Sequence, residues 1–157
     1  MIIVSDKCIQ LIKKFEGFSA KPYHGAADKP GIFTIGYGTI KYPPTYLGGK
    51  SVALSDPNIT EKQALDFLTW EVNVKAKNID ILLRDDLTSN QFAALISFTY
   101  NLGEGALQKS TLRKKVNANP KDPTIHDEFL KWVISDGHVQ PGLVKRRIEE
   151  ADLYFKP

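Results

Sequence analysis

Two carboxylates and a hydroxyl near the start of the chain have the spacing and the surroundings that glycosidic chemistry needs. Glu16 ends a segment patterned like an amphipathic helix, and Asp28 lies in a loop rich in glycine and proline. Thr34 opens a short segment that is β-branched and aromatic. A glycosidic bond is hydrolysed when one acid donates a proton while a second carboxylate stabilises positive charge or activates a water. These three residues therefore predict a site for that chemistry.

The two acids differ in their surroundings, and the difference assigns their roles. The partial negative charge at the end of a helix favours the protonated form of Glu16, and the neighbouring Phe15 and Phe18 act in the same direction by excluding water. Asp28 lies in a polar loop beside a lysine, where the ionised form is stable. When the surroundings favour the protonated form of one acid and the ionised form of another, the first is suited to donate a proton and the second to act as a base. The spacing of Thr34 from Asp28 would allow its hydroxyl to hold the attacking water.

Each of these residues also has a simpler structural interpretation. Glu16 could be a surface acid, or the ion-pair partner of Arg146 or Arg147. Asp28 could serve only as a turn former, and Thr34 only as a β-branched strand residue. Residue type alone does not decide between these interpretations and the catalytic one.

The apolar pattern predicts the elements that would position these side chains. Ser5 is a plausible N-cap, and apolar residues follow at helical spacing as far as Gly17, which predicts a first helix with Glu16 in its last turn. Cys8 belongs to the apolar face of this helix, so we expect it to be buried. Between residues 19 and 57, prolines and glycines interrupt every helical pattern. Residues 32–37 and 50–54 predict two antiparallel strands paired across a turn at 48–49.

Helices are predicted for most of the remaining chain. A capping box at residues 60–63 begins a long helix that extends to about residue 83 and connects two lobes. A second capping box, at 88–91, begins a buried helix that ends at Gly103. Further helices are expected near residues 111–116, 124–134 and 142–154. The predicted fold class is α+β, with a small sheet lobe at 19–59, a connecting helix at 60–84, and a helical lobe formed by 85–157 and 1–17.

The composition excludes several other classes of protein. The 157 residues suit one domain, and the chain contains no apolar run of the roughly 18–20 residues that a transmembrane helix needs. The apolar start at residues 1–4 is too short for a signal peptide. The single cysteine excludes an internal disulfide, and three scattered histidines (His24, His126 and His138) predict no metal site. No cofactor is expected, since neither standard phosphate-binding loop is present.

Three groups of short motifs extend over nearly the whole chain. The first comprises Phe15-Glu16-Gly17, Pro22-Tyr23, Asp28, Gly31 and Thr34-Ile35-Gly36-Tyr37-Gly38-Thr39. The second comprises Leu87-Thr88, Asn90-Gln91-Phe92, Ala94-Leu95, Ser97-Phe98, Tyr100-Asn101-Leu102-Gly103 and Lys109-Ser110-Thr111-Leu112. The third comprises Phe129-Leu130-Lys131-Trp132, Pro141-Gly142-Leu143-Val144 and Arg146-Arg147. In combination these motifs resemble the phage-type lysozymes, the T-even-like endolysins of glycoside hydrolase family 24.

The resemblance implies a role for each matched residue in a lysozyme-like, two-lobed fold. Glu16 would be the general acid, Asp28 the carboxylate that aims or activates water, and Thr34 the hydroxyl that positions this water. Ile40 and Tyr100 would contact the sugar chain. By residue type alone, Ile40 suits sheet packing equally well, and Tyr100 could be a core aromatic whose hydroxyl is hydrogen-bonded.

The same resemblance implies the substrate and the setting of the reaction. The substrate would be the glycan strand of peptidoglycan, cleaved with inversion at the β-1,4 bond from N-acetylmuramic acid to N-acetylglucosamine. Inversion would place the two carboxyl groups roughly 6.5–9.5 Å apart. The protein would be a monomer that needs no metal, binds no nucleic acid and forms no stable association with a membrane. It would be made in the host cytoplasm and reach the cell wall after membrane permeabilisation, causing lysis and phage release.

The chain departs from the family pattern at two positions. Eleven residues separate Glu16 from Asp28, three more than is usual in the family, while five residues separate Asp28 from Thr34. Alignment from the following Thr34 selects Asp28 as the second carboxylate, whereas counting forward from Tyr23 would select Gly25, which has no side chain. The other departure is Thr39, where many relatives carry histidine.

Three other functions remain open on the sequence. A lytic transglycosylase would act on the same bond with a single acid and form an anhydro sugar. A wall-binding module without catalysis would keep the acids only for packing. A nucleic-acid binder is disfavoured, because Glu149, Glu150 and Asp152 interleave with the cations and the net charge is only +3.

Overall fold

A computed structural model describes residues 4–25 and 29–157 of the chain. Over these residues the chain forms seven α-helices and two small antiparallel hairpins. The helices are α1 (Asp6–Glu16), α2 (Glu61–Asp80), α3 (Ser89–Leu102), α4 (Glu104–Lys109), α5 (Thr111–Ala118), α6 (Ile125–Leu130) and α7 (Pro141–Phe155). The strands are β1 (Ser19–Tyr23) paired with β2 (Thr34–Gly36), and β3 (Ile134–Ser135) paired with β4 (His138–Val139).

The chain divides into two compact units. One consists of Ile12–Asn73 and contains the end of α1, the β1–β2 hairpin and the first part of α2. The other combines Met1–Leu11 with Val74–Pro157 and contains the remaining helices and the β3–β4 hairpin. Both divisions of the chain fall inside helices, α1 and α2, so these two helices belong partly to each unit.

The first helix is confirmed as the sequence predicts it. The backbone N–H of Cys8 donates to the Ser5 hydroxyl at 3.4 Å, which satisfies one of the free donors at the start of α1. At the other end Gly17 has a left-handed φ of +67°, and its N–H donates to the carbonyl of Lys13 at 3.1 Å. Glu16 is therefore the last residue of α1.

Both capping boxes are confirmed at the starts of α2 and α3. The N–H of Thr60 donates to Gln63 Oε1 at 2.9 Å, and the N–H of Gln63 donates to the Thr60 hydroxyl at 3.1 Å. Thr88 and Gln91 make the same reciprocal pair before α3. At its other end α2 stops at Asp80, short of the predicted residue 83, because the amides of Leu82 and Leu83 bond three residues back and tighten the chain into turns.

The predicted pairing of the small sheet is wrong. The partner of β2 is β1, with Ser19 opposite Gly36 and Tyr23 opposite Thr34, and the register is irregular between those two pairs. Residues 50–54 lie instead against residues 40–42, where the N–H of Val52 donates to the carbonyl of Ile40 at 2.9 Å. The pattern hid β1 because it contains Pro22, which a short edge strand tolerates.

Two further elements differ from the prediction. The helix expected at 124–134 ends at Leu130, because residues 134–135 enter β3 and pair with β4. The six-residue helix α4 was not predicted. It follows Gly103, whose φ of +94° ends α3, so the chain restarts a helix at Glu104 within one residue.

A buried ionic cluster joins α3 and α7. Glu150 is fully buried, with Oε1 2.6 Å from Arg147 Nε and Oε2 3.5 Å from Arg146 Nε. The Ser97 hydroxyl donates to Oε2 at 2.7 Å, and Arg147 Nη2 donates to Asn101 Oδ1 at 2.9 Å. Burial raises the pKa of Glu150, and the two guanidinium groups oppose that rise. Both arginines therefore bind Glu150, a partner that the sequence did not indicate, while pairing with Glu16 stays a prediction.

Gly36 allows β2 to pack closely on the start of α2. A Cβ added at Gly36 would lie 3.1 Å from the Ala64 Cβ and 3.3 Å from the Ile59 Cδ1, and φ is +64°. Gly48 has a similar φ of +68°, but among the described residues nothing lies within 4 Å of its added Cβ. The two positions thus share the backbone conformation and differ in crowding.

We expect Gly36→Ala to lower the free energy of unfolding by about 1–3 kcal/mol more than Gly48→Ala does. Both variants place a side chain on a left-handed backbone. The difference between their free energies of unfolding therefore measures the cost of moving β2 away from α2 to make room for the methyl group. Urea unfolding of the two variants beside the wild type measures it. Equal losses would show that the hairpin absorbs the methyl group without displacement.

Candidate active site

Glu16 is half-buried at the C-terminal end of α1. The left-handed Gly17 that follows turns the chain out of the helix, and Ser19 begins β1 two residues later. The carboxyl group is therefore placed on the last helical turn, immediately before the β1–β2 hairpin. This is the position that the sequence predicts for the proton donor.

Thr34 begins β2 and is 5% exposed. Its backbone pairs with Tyr23 across the hairpin, while Ser19 pairs with Gly36. The strand that leaves Glu16 therefore runs beside the strand that carries Thr34, within the unit Ile12–Asn73. The hairpin thus links two of the three predicted catalytic residues through one short stretch of chain.

Asp28, the third predicted catalytic residue, lies outside the described residues. On one side of that segment His24 is exposed, with Nε2 3.3 Å from the carbonyl oxygen of Lys29 on the other side. The His24 ring also packs edge-on against Phe33, with 5.9 Å between ring centroids. His24 is thus a surface imidazole. The assignment of Asp28 stays a prediction.

The two predicted sugar-contacting residues lie in different units. Ile40 is 45% exposed, in the unit Ile12–Asn73. Tyr100 is half-buried near the end of α3 in the other unit, and Lys75 Nζ lies 5.9 Å from its ring centroid. Tyr100 is therefore not a fully buried core aromatic. Sugar contact remains a prediction for both residues.

Tyr37 is a residue near Glu16 that the sequence reasoning missed. It is 3% exposed, and its hydroxyl donates to Glu61 Oε1 at 2.8 Å. Lys13 Nζ lies 5.2 Å from the Tyr37 ring centroid, and the Phe18 ring centroid lies 5.6 Å away. Burial raises the pKa of the Tyr37 phenol, and the hydrogen bond to Glu61 adds to the rise. Its one sequence signal is an aromatic residue between two glycines.

Cys8 is packed in the core, as predicted. It is fully buried, and its sulfur lies 3.7 Å from the carbonyl oxygen of Ala93. Burial raises the pKa of the thiol to about 12, because a thiolate would be poorly solvated there. The thiol is therefore unsuited to act as a nucleophile.

Residues 4–25 and 29–157 contain neither a metal-ligand cluster nor a membrane-spanning helix. Within these ranges no three side chains of the ligand types His, Cys, Asp and Glu come together as a metal site would require. No helix within the same ranges has the length and apolar character to cross a bilayer.

Comparison with known proteins gives consistent results. The family model described as phage lysozyme matches residues 13–150. The endolysin of Bacillus phage B103 is 40% identical over 97% of this chain, and the endolysin of Acyrthosiphon pisum secondary endosymbiont phage 1 is 32% identical over 96% of this chain. The matched region is 97% of the latter protein but 54% of the former. The chain thus spans about half the length of its Bacillus phage relatives.

Solved structures match over almost the whole chain. The endolysin of the Escherichia coli phage FAHEc1 has a TM-score of 0.81 at 34% identity, covering 98% of this chain and 94% of that one. A mutant of P22 lysozyme also has a TM-score of 0.81, at 29% identity, covering 99% of this chain and 100% of that one. The α+β architecture predicted from the sequence is therefore confirmed.

Proposed function

The chain belongs to the phage lysozyme family, and on this basis we propose that it is a muramidase that hydrolyses bacterial peptidoglycan. The proposed bond is the β-1,4 linkage from N-acetylmuramic acid to N-acetylglucosamine. The observation that carries the proposal is the placement of Glu16 on the last turn of α1, directly before the hairpin that presents Thr34. Both residues lie in the segment that the family model matches.

The proposed mechanism assigns one step to each residue. Glu16 protonates the leaving oxygen as the bond to the anomeric carbon breaks. Asp28 accepts a proton from a water that attacks the opposite face of the sugar, and the Thr34 hydroxyl holds that water in line. Water adds and the anomeric configuration inverts, as it does when the two carboxylates leave room for a water. Ile40 and Tyr100 contact the sugar chain.

The proposal extends to the setting of the reaction. We propose that residues 1–157 act as one lysozyme-like domain and as a monomer on peptidoglycan strands. No metal, nucleic acid or stable membrane association takes part. The protein is made in the host cytoplasm and reaches the wall once the membrane is permeabilised. Relatives of the chain are named endolysins, which supports action on the cell wall.

Product analysis tests the function directly. Purified sacculi are incubated with the protein, and the released muropeptides are measured by mass spectrometry. A muramidase releases fragments that have gained one water and carry a reducing N-acetylmuramic acid. Anhydro products, lighter by one water, would identify a lytic transglycosylase. Binding to sacculi without release of fragments would identify a wall-binding module.

The assignment of Asp28 is tested by a pair of substitutions. We expect Asp28→Asn to lower the rate of muropeptide release by about 100-fold or more, because the attacking water loses its base. Gly25→Ala, at the alternative alignment position, should retain most of the activity. Initial rates on the same sacculi compare the two variants. Loss of activity only in Gly25→Ala would show that the three extra residues displace the alignment and that Asp28 is not the base.

A further inference from the structure

Tyr37 occupies the tip of a tight turn that follows the strand bearing Thr34. Ile35 and Thr39 exchange two backbone hydrogen bonds of 2.9 Å across this turn. Gly36 and Gly38 have φ of +64° and +84°, which lets the chain reverse around the single aromatic residue between them. The backbone of Tyr37 is thereby fixed to β2.

The hydroxyl of Tyr37 fixes the other end of its side chain. It donates to Glu61 Oε1 at 2.8 Å, and Glu61 is the first residue of α2. A hydrogen bond from a phenol to a carboxylate is stronger than one between neutral groups. The ring is therefore held between β2 and α2 and provides a fixed surface for the side chains that pack against it.

The residues that pack against the ring lie on both sides of Glu16. Lys13, three positions earlier on the same face of α1, places its ammonium group 5.2 Å from the Tyr37 ring centroid. Phe18, two positions after Glu16, packs its ring at 5.6 Å and a tilt of 49°. The fixed Tyr37 ring thus contacts one residue that precedes Glu16 in the chain and one that follows it.

The end of α1 needs such a support. A terminal helical turn frays readily, and Gly17 adds backbone freedom directly after Glu16. Phe18 is 43% exposed, so the core does not enclose it, and its ring contact with Tyr37 contributes to its placement. A general acid must nevertheless be held to within about 0.5 Å of its productive position.

We propose that Tyr37, held by Glu61, is a positioning residue that fixes the last turn of α1 and with it the Glu16 carboxyl group. The catalytic part of this inference rests on the proposed function. Tyr37 touches neither substrate nor water in this scheme. It acts through Lys13 and Phe18, and it ties the acid to the strand that presents Thr34.

Tyr37→Phe tests the inference with a matched control in the same unit. Tyr42 is also buried, and its hydroxyl donates to the carboxylate of Asp56 at 3.0 Å. Tyr42→Phe therefore removes the same kind of hydrogen bond away from α1. We expect kcat on sacculi to fall about tenfold in Tyr37→Phe with KM changed less than about twofold, and to remain near the wild-type value in Tyr42→Phe.

Substitutions at Glu61 provide the rescue experiment. Glu61→Gln keeps an oxygen that accepts from the Tyr37 hydroxyl, so kcat should stay within about twofold of wild type. Glu61→Ala removes the acceptor and should reproduce the loss seen in Tyr37→Phe. The double variant Tyr37→Phe/Glu61→Ala should lose no more than either single variant, because one interaction is removed in all three.

A measurement without substrate separates this inference from the proposed function. The Gly17 amide donates the last hydrogen bond of α1, so its hydrogen exchange reports the order of the Glu16 turn. We expect exchange to be about tenfold faster in Tyr37→Phe and unchanged in Tyr42→Phe. Unchanged exchange in Tyr37→Phe, or equal kcat losses in both variants, would overturn the positioning role. A wild type that releases no muropeptides would overturn the proposed function, while the exchange result would still decide the role of Tyr37.

Discussion

Glu16→Gln will lower the rate of peptidoglycan hydrolysis by about 100- to 10,000-fold, the range that general acid catalysis contributes. The amide has nearly the same shape as the acid but cannot deliver a proton to the leaving oxygen. Because Glu16 is only half-buried on a terminal helical turn, the fold should tolerate the change. The melting temperature should therefore stay close to that of the wild type.

Asp80→Asn is the matched control for this experiment. Asp80 is the last residue of α2, as Glu16 is the last residue of α1, and its side chain is exposed. Both variants replace a carboxyl group with an amide at a helix C-terminus, but only one removes the proposed acid. Turbidity loss of permeabilised bacteria and muropeptide release are measured for both. Lysis by Glu16→Gln at a rate comparable to wild type would reject Glu16 as the proton donor.

The second large effect concerns stability. Glu150→Gln should lower the free energy of unfolding by about 3–5 kcal/mol, because it removes the buried carboxylate that binds the guanidinium groups of Arg146 and Arg147. Both arginines are buried, and Glu150 is fully buried between them. An amide oxygen can still accept from Ser97, but it cannot balance positive charge in a medium of low dielectric constant.

Urea unfolding measures this loss against a control on the same helix. Asp152→Asn changes an acid of α7 whose side chain is 67% exposed, and it should shift the free energy of unfolding by no more than about 0.5 kcal/mol. A decrease of less than about 1 kcal/mol in the free energy of unfolding would show that the Glu150 carboxylate contributes little to the stability of the folded state. Water entering the cluster would then have to solvate the two guanidinium groups.

The helices could be predicted largely because their boundary signals are local. The capping boxes at Thr60 and Thr88 act within three residues, and Gly17 and Gly103 end helices through their own φ angles. Strand pairing depends on partners that are distant in sequence. The β1–β2 register joins Ser19 to Gly36, and no pattern within either segment specifies that choice over residues 50–54.

The same limit applies to the candidate site. Glu16 and Thr34 could be identified because helix-end and strand-start signals place them, and the family motifs select them. Tyr37 could not, because its importance depends on Glu61, which lies 24 positions further along the chain. Glu150 was likewise noted only as one acid among several. Its burial between two arginines follows from the packing of α7 on α3, which composition does not reveal.

The division of the chain has a consequence for its synthesis on the ribosome. The unit Ile12–Asn73 is one uninterrupted stretch, so all of its residues have left the ribosomal exit tunnel while much of the second unit is still untranslated. The other unit combines Met1–Leu11 with Val74–Pro157, so it cannot fold completely until its second segment has been translated. Nascent chains can therefore assemble the unit Ile12–Asn73 first, and the buried Cys8 is covered only when translation has delivered α3, which carries Ala93.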